Sequence, residues 1–347
     1  MINKNVYIWS CDLETFRGEG VLAWLFINEL KKYCKKKIIV ESFKKKIIFN
    51  KSSKKIIRNQ ITFSLNFFTK YILPFYGLLK CWIYYFNSFK VSYVNYLPLW
   101  NPLILFLLPP GTILGPITGG IFYDKKKFNS VILRKIFMPF IYKISAKFLI
   151  LKKKILFSTS LLGKFIDYKI KKKCIFNFVL LNFNKPKKIY KKNIDIIIYY
   201  RNHSNKHNHF IYELAKRLLL NNFTIVVIGD FMPIEGIINK GNIQRSKALK
   251  LIGRSAYAIN SGENSLSLFA IDCLSRRTKI FCNKKNISEI MVKLKDIVYP
   301  INFEIFDSSI NKVCYRINKK SKVSFDYLPI IKEKKKIHNL LSSYFVE

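Results

Sequence analysis

The sequence predicts a two-domain α/β protein with mostly parallel sheets, on three grounds. Short apolar runs alternate with amphipathic stretches along the chain, from VYIWSCD at 6–12 to TKIFC at 278–282. Alternation of that kind implies parallel strands covered by helices on both faces. At 347 residues the chain exceeds the roughly 100 to 200 of one domain. Around 182–193 the apolar period is lost and Pro186 intervenes, as in a linker. Domains are therefore expected at 1–181 and 194–347, joined by 182–193, with the last helix free to return to the first domain.

In the first half VYIWSCD predicts a strand, LETFRGEG a loop with glycines at the turn, and VLAWLFINELKK a helix by the spacing of its apolar residues. KIIVES predicts the next strand. A Lys-rich and Ser-rich stretch follows, then a long aromatic helical region, the strand VSYVNY, the helix NPLILFLL and the strand TILG running into the loop PITGG. A helical region over 130–147 and a short segment over 148–151 complete the half. The second half predicts strand IDIIIYY, helix HFIYELAKRLLLNN, strand FTIVVIGD, a loop with Gly236 and Gly241, helix SKALKLIGRSA, strand YAINSG, helix SLSLFAIDCLSRR, strand TKIFC and a helix over 287–298.

The formal charge of +42 would ordinarily suggest a polyanionic partner. Only ten of the 62 basic residues are Arg, and Ile, Asn, Phe and Tyr are inflated with Lys, the composition an AT-rich genome imposes whatever the function. No RNA-binding consensus, zinc-finger spacing or basic heptad occurs, so a nucleic-acid partner is not expected. Runs such as Lys44 to Lys46 flank apolar strands, as solvated ends do. The seven cysteines are scattered without C-x-x-C pairs, which fits reduced thiols in a cytosolic protein. The first residues show no export signal.

Residues 91–123 carry no charge, yet five prolines and four glycines interrupt them, and a spanning helix needs about 20 mostly uninterrupted apolar residues. Buried strands and a short helix are expected there. Over 63–89 Phe, Tyr, Trp and Leu interleave with Lys, which leaves an anionic membrane surface open as a partner.

Candidate chemistry gathers at predicted strand ends. The apolar run ending at Ile259 breaks into a polar turn with Glu263, then a helix. An α/β domain presents an acid at the carboxyl end of a strand in this way. The strand 194–200 ends in Arg201, with Lys206 just after it, so two cations and an acid meet at one sheet edge, a combination suited to a sugar nucleotide. Asn264 and Ser265 surround the acid, either as anion-binding donors at a helix start or as an ordinary cap. Gly18 and Gly20 stand at the first βα turn, where glycine lets backbone approach a phosphate. The segment at 115–120 (GPITGG) either lines the acceptor side or makes a structural turn. His203, His207 and His209 lack a nearby Cys or carboxylate, and no metal is expected. Nucleophile and P-loop patterns (G-x-S-x-G, G-x-x-x-x-G-K-[ST], H-E-x-x-H) are absent.

These residues resemble the GT-B-fold glycosyltransferases, and within them the retaining group called glycosyltransferase family 4. The resemblance is sharpest over 194–282. It implies two Rossmann-like domains with a cleft between them, Arg201 and Lys206 on the donor diphosphate, Glu263 on the donor sugar, and Gly18 and Gly20 facing the phosphate. The family's E-x7-E pattern would put its second acid, the ribose contact, at Ile271. Alignment on the helix pattern E-A-L-A-x-G-T-P, with one inserted residue in the turn, puts it at Asp272, with Arg277 and Lys279 where glycine and proline are expected. The implied activity is retaining hexosyl transfer from a nucleotide-sugar donor to a surface-glycan or lipid-linked acceptor, with no metal cofactor, in the cytoplasm or at the inner face of the plasma membrane. The alternative is a GT-B protein that lost catalysis and binds a glycan or membrane surface.

Overall fold

A computed structural model of the chain describes residues 2–14, 18–50, 53–58, 67–94, 101–119, 136–152, 155–186, 189–202, 208–319 and 325–346. Contacts divide it into two compact units, one holding residues up to 119, 136–181 and 335–347, the other holding 182–334.

The first unit carries a six-stranded sheet in the order β4-β3-β2-β1-β5-β6. β1 (Val6–Ser10) lies between β2 (Ile38–Glu41) and β5 (Lys90–Val94), parallel to both, and is buried throughout, as a central parallel strand must be. Helix α1 (Gly18–Tyr33) joins β1 to β2 and buries Phe26, Ile27 and Leu30. β3 (Lys45–Phe49) and β4 (Lys54–Arg58) form an antiparallel hairpin at the edge. The Lys44 to Lys46 run expected as a solvated flank therefore enters a strand. β3 pairs with both β2 and β4, so the strand at the edge is β4, whose Lys54 and Lys55 blunt further pairing.

Helices α2 (Phe67–Phe86), α3 (Pro102–Leu107) and α4 (Met138–Leu149) belong to the same unit, with β6 (Ile113–Leu114) between α3 and α4 in the chain. Of the helical region expected over 130–147, residues 130–135 lie outside the described residues. A small two-stranded sheet of β7 (Ile155–Leu156) and β8 (Cys174–Ile175), with the one-turn α5 (Tyr168–Lys171), follows.

The second unit is a wholly parallel sheet in the order β11-β10-β9-β12-β13-β14. Its strands are β9 (Ile194–Tyr200), β10 (Ile225–Gly229), β11 (Ile238–Asn239), β12 (Ser255–Ile259), β13 (Lys279–Asn283) and β14 (Val298–Ile301). The helices are α6 (Asn208–Leu220), α7 (Arg245–Arg254), α8 (Leu268–Leu274), α9 (Glu289–Val292) and α10 (Phe306–Asn318). On one face Phe210 and Leu214 of α6 and Val313 of α10 bury against Ile196, Ile198 and Phe281. Each such side chain stabilises the unit by about 1.5–3 kcal/mol. The helix expected over 287–298 is corrected to the single turn α9, because Val298 starts β14 and pairs with Ile280.

Helix α11 (Leu328–Val346) is divided between the units at Lys334 and Lys335. In the first unit its end places Phe345 5.5 Å from Phe26, ring to ring, and the Tyr344 hydroxyl donates to the Leu114 carbonyl at 2.6 Å.

Candidate active site

Strand order decides where a ligand can sit. From β9 the chain crosses through α6 to β10 on one side, then returns through α7 to β12 on the other, so the two crossovers diverge between β9 and β12. That divergence opens a crevice at the carboxyl ends of both strands, the usual ligand position in such sheets. The register Ile198 opposite Ile259 brings Arg201, which follows β9, level with the loop 260–267 that follows β12. The sheet thus brings the end of β9 at Arg201 and the loop that carries Glu263 to one edge.

Asn260 builds that loop from within. Its side chain is buried, and Nδ2 donates to the carbonyls of Asn264 and Ser265, both at 2.9 Å. Its Oδ1 accepts from the Ser261 N–H at 3.0 Å and the Ser267 hydroxyl at 2.8 Å. Ser267 caps α8, its hydroxyl accepting from the Ala270 N–H at 3.1 Å. The cap is therefore Ser267 rather than Asn264 or Ser265. Asn264 closes a local turn by accepting from the Leu266 N–H at 3.0 Å, and the Ser265 hydroxyl accepts from the Ser288 N–H at 2.8 Å. Asn283 and Asn286 donate to the Gly262 carbonyl at 3.3 and 2.9 Å. Every turn of the loop is pinned, and Glu263 is held within it at 8% exposure.

Arg201 is exposed, and no hydrogen bond or ion pair holds its guanidinium among the described residues. The next N–H, of Asn202, donates to Asp230 at 2.8 Å, which fixes the backbone where β9 ends. Gly229 makes this approach possible: its φ is +103°, and a Cβ there would stand 2.2 Å from the Tyr200 carbonyl oxygen. Lys206, with His203 and His207, lies outside the described residues. His209 opens α6, with its ring 5.1 Å from that of Phe306. Among the described residues no three His, Cys, Asp or Glu side chains converge as a metal site would require.

Asp272 lies on α8 at 9% exposure. Arg245, the first residue of α7, holds both its oxygens, Nη2 to Oδ1 at 2.5 Å and Nε to Oδ2 at 3.2 Å, and Asn182 donates to Oδ1 at 3.2 Å. Burial raises the Asp272 pKa above the ordinary carboxylate value, while Arg245, Asn182 and Arg276 oppose that shift. Beyond α8, the Arg277 N–H donates to the Leu274 carbonyl at 3.3 Å and the Thr278 N–H to that of Cys273 at 3.0 Å, with Arg277 at φ +56°. This is the Schellman closure, which normally takes glycine at the left-handed residue. The backbone at Arg277 thus keeps the conformation of the glycine expected there, in the alignment that puts the second acid at Asp272.

In the first unit Gly18 and Gly20 fall inside the first turn of α1, not in the loop before it. A Cβ on Gly20 would stand 2.1 Å from the Glu14 carbonyl oxygen, so this glycine serves the close passage of the loop after β1. That loop is fixed by Asp12 accepting from the Glu14 N–H at 2.8 Å and Trp24 donating to the Leu13 carbonyl at 2.9 Å. Gly115, at the start of the GPITGG segment, donates its N–H to the Tyr93 carbonyl at 2.7 Å, while residue 120 lies outside the described residues.

Sequence reasoning missed Asn260, Asp230 and Arg245. The signal for Asn260 was present: a single amide side chain directly after an apolar strand, followed by five small or polar residues. Arg245 carried none, because its partner is 27 residues away.

No family model and no curated protein matches the sequence. Among solved structures, sucrose-phosphate synthase from Thermosynechococcus elongatus is similar with a TM-score of 0.62 over 99% of this chain and 97% of that one, at 9% identity. HepE from Anabaena, in complex with UDP, gives 0.56 over 98% and 100% at 10% identity. The pneumococcal O-GlcNAc transferase GtfA, in complex with UDP and GlcNAc, gives 0.54 over 88% of this chain at 9% identity, and the chain spans 65% of its length. Likeness at such identities fixes the fold, and the fold shared with these proteins is the α/β GT-B fold of glycosyltransferases.

Proposed function

We propose that the chain transfers a hexose-type sugar from a nucleotide-sugar donor to a surface-glycan or lipid-linked acceptor, with retention and without a metal, as in glycosyltransferase family 4. One observation carries this: a guanidinium with no ion pair among the described residues and a buried carboxylate come to the carboxyl ends of adjacent strands at the divergence of the sheet. Arg201, with Lys206, neutralises the donor diphosphate and the charge that develops on the departing nucleotide. Glu263, oriented by the Asn260 network, accepts from sugar hydroxyls, and Asn264 and Ser265 border it. Asp272 meets the ribose through the oxygen lone pairs that Arg245 leaves free. Cytoplasmic placement gives access to such donors. Two of the structures with this fold hold UDP, which supports the donor class.

The grip of Arg245 on Asp272 favours a second reading, a protein that binds the donor or a glycan without turnover. Thermal melts with a panel of nucleotide sugars, together with assays of released nucleotide, distinguish the two. A cognate donor at about 100 times its Kd should stabilise the protein by about 2.7 kcal/mol. Arg201→Ala and Glu263→Gln should each abolish transfer and weaken that stabilisation. If no nucleotide sugar moves the melting temperature, the transferase reading fails and only glycan binding is left of the second; stabilisation without release selects donor binding without turnover.

A further inference from the structure

Acids are distributed very unevenly along this chain. Between Glu41 and Asp167 the sequence places 21 Lys and Arg residues against one acid, Asp124, although it has 20 acids in all. AT-rich coding raises Lys but gives no reason to clear acids from one segment and leave them elsewhere.

The same segment builds α2, α3 and α4, and these helices expose apolar side chains in stripes. On α2, Ile72, Leu79, Ile83 and Phe86 recur at helical spacing, with Leu79 63% and Phe86 76% exposed. The opposite face is packed: Gly77 lies against the Trp9 indole, and Leu78 and Cys81 are buried. On α3, Leu103 and Phe106 are exposed, as are Phe137 just before α4 and Phe140 on it, followed at the same spacing by the exposed Lys143 and Lys147. The three helices are neighbours. Trp82 Nε1 donates to the Leu107 carbonyl at 2.9 Å, and the Phe106 and Phe148 rings stand 5.1 Å apart.

Contiguous apolar patches of more than a few hundred Å² mark interaction sites. Charge selects the occupant. A second copy would bring the same acid-free, Lys-rich surface against this one, since a two-fold interface pairs a patch with itself. A bilayer with anionic headgroups accepts both properties, taking Leu and Phe at the acyl boundary and Lys at the phosphates. Among the described residues no helix is long and apolar enough to cross a membrane.

We propose that the outer face of α2, α3 and α4 seats the protein on an anionic bilayer as a monotopic contact. This rests on the apolar face and the missing acids, and not on the transferase reading, so either can fail alone. The test is co-sedimentation of the full chain with phosphatidylcholine vesicles, with and without phosphatidylglycerol, at physiological salt. Wild type should bind the anionic vesicles, and Leu79→Asp with Phe140→Asp should lower the partition coefficient about a hundredfold or more, as losing two buried apolar side chains implies. Lys143→Glu with Lys147→Glu should reduce the preference for phosphatidylglycerol. Both aspartate substitutions fall on exposed positions, and unchanged melting curves verify folding; Ile83→Asp with Leu103→Asp serves if they do not fold. Wild-type binding by a folded aspartate variant overturns the proposal. So does a lipid-free dimer that the aspartates dissociate, which would make a second copy the occupant.

Discussion

Asp272 sits between opposed influences: burial disfavours its charge, while Arg245, Asn182 and Arg276 favour it. Burial prevails, so the folded state binds a proton more readily than the unfolded chain, whose carboxyl titrates near 3.8. The sign follows from linkage. The Asp272 contribution to stability is fully present below 3.8 and is lost as pH climbs through the raised folded value. Asp272→Asn removes this titration. Melts of wild type and variant between pH 4 and 7 should therefore diverge in favour of wild type as pH falls, and parallel curves would refute the assignment. Arg245→Ala at neutral pH should do more damage, about 3 kcal/mol, because it strands a buried carboxylate. Asn182 alone cannot replace a two-pronged guanidinium.

The loop between β12 and α8 depends on one side chain. Asn260 makes four hydrogen bonds inside it, so Asn260→Ala should cost about 2–3 kcal/mol by leaving loop carbonyls and the Ser267 hydroxyl unsatisfied. Chemical denaturation measures that loss directly. Donor binding should fall further than global stability, since Glu263 hangs from the same loop. How well each element could be read from sequence follows from where its determinants lie. β9 was legible to the residue, because a central strand is a mostly apolar run, here broken only by half-buried Asp195, with a polar residue at each end. The hairpin β3–β4 was not: its lysines imitate a solvated flank, and pairing between strands, absent from local periodicity, makes it a sheet edge. The helix expected over 287–298 failed for the same reason, since Val298 is claimed by the neighbouring strand β13. In the candidate site, strand ends located Arg201 and Glu263, whereas the ion pair of Asp272 arises only once α7 and α8 pack together.

At the scale of the whole molecule, +42 charges on 347 residues repel one another, and folding brings them closer. Raising ionic strength from about 0.05 to about 0.5 M shortens the Debye length to a few ångström and should raise the melting temperature. A melting temperature indifferent to salt would mean that the native ion pairs, such as Lys80 and Lys46 around Glu41, already offset the repulsion. The long final helix has a consequence for biosynthesis. Ile337, Leu341, Tyr344 and Phe345 are buried in the unit built mainly from the first 181 residues, against partners such as Phe26 and Leu114. The ribosome therefore delivers residues 2–181 without the piece that closes them, and that unit stays open until α11 has been made. A stop codon at position 335 would wound the unit made earlier, while β9 to β14 would all still be made.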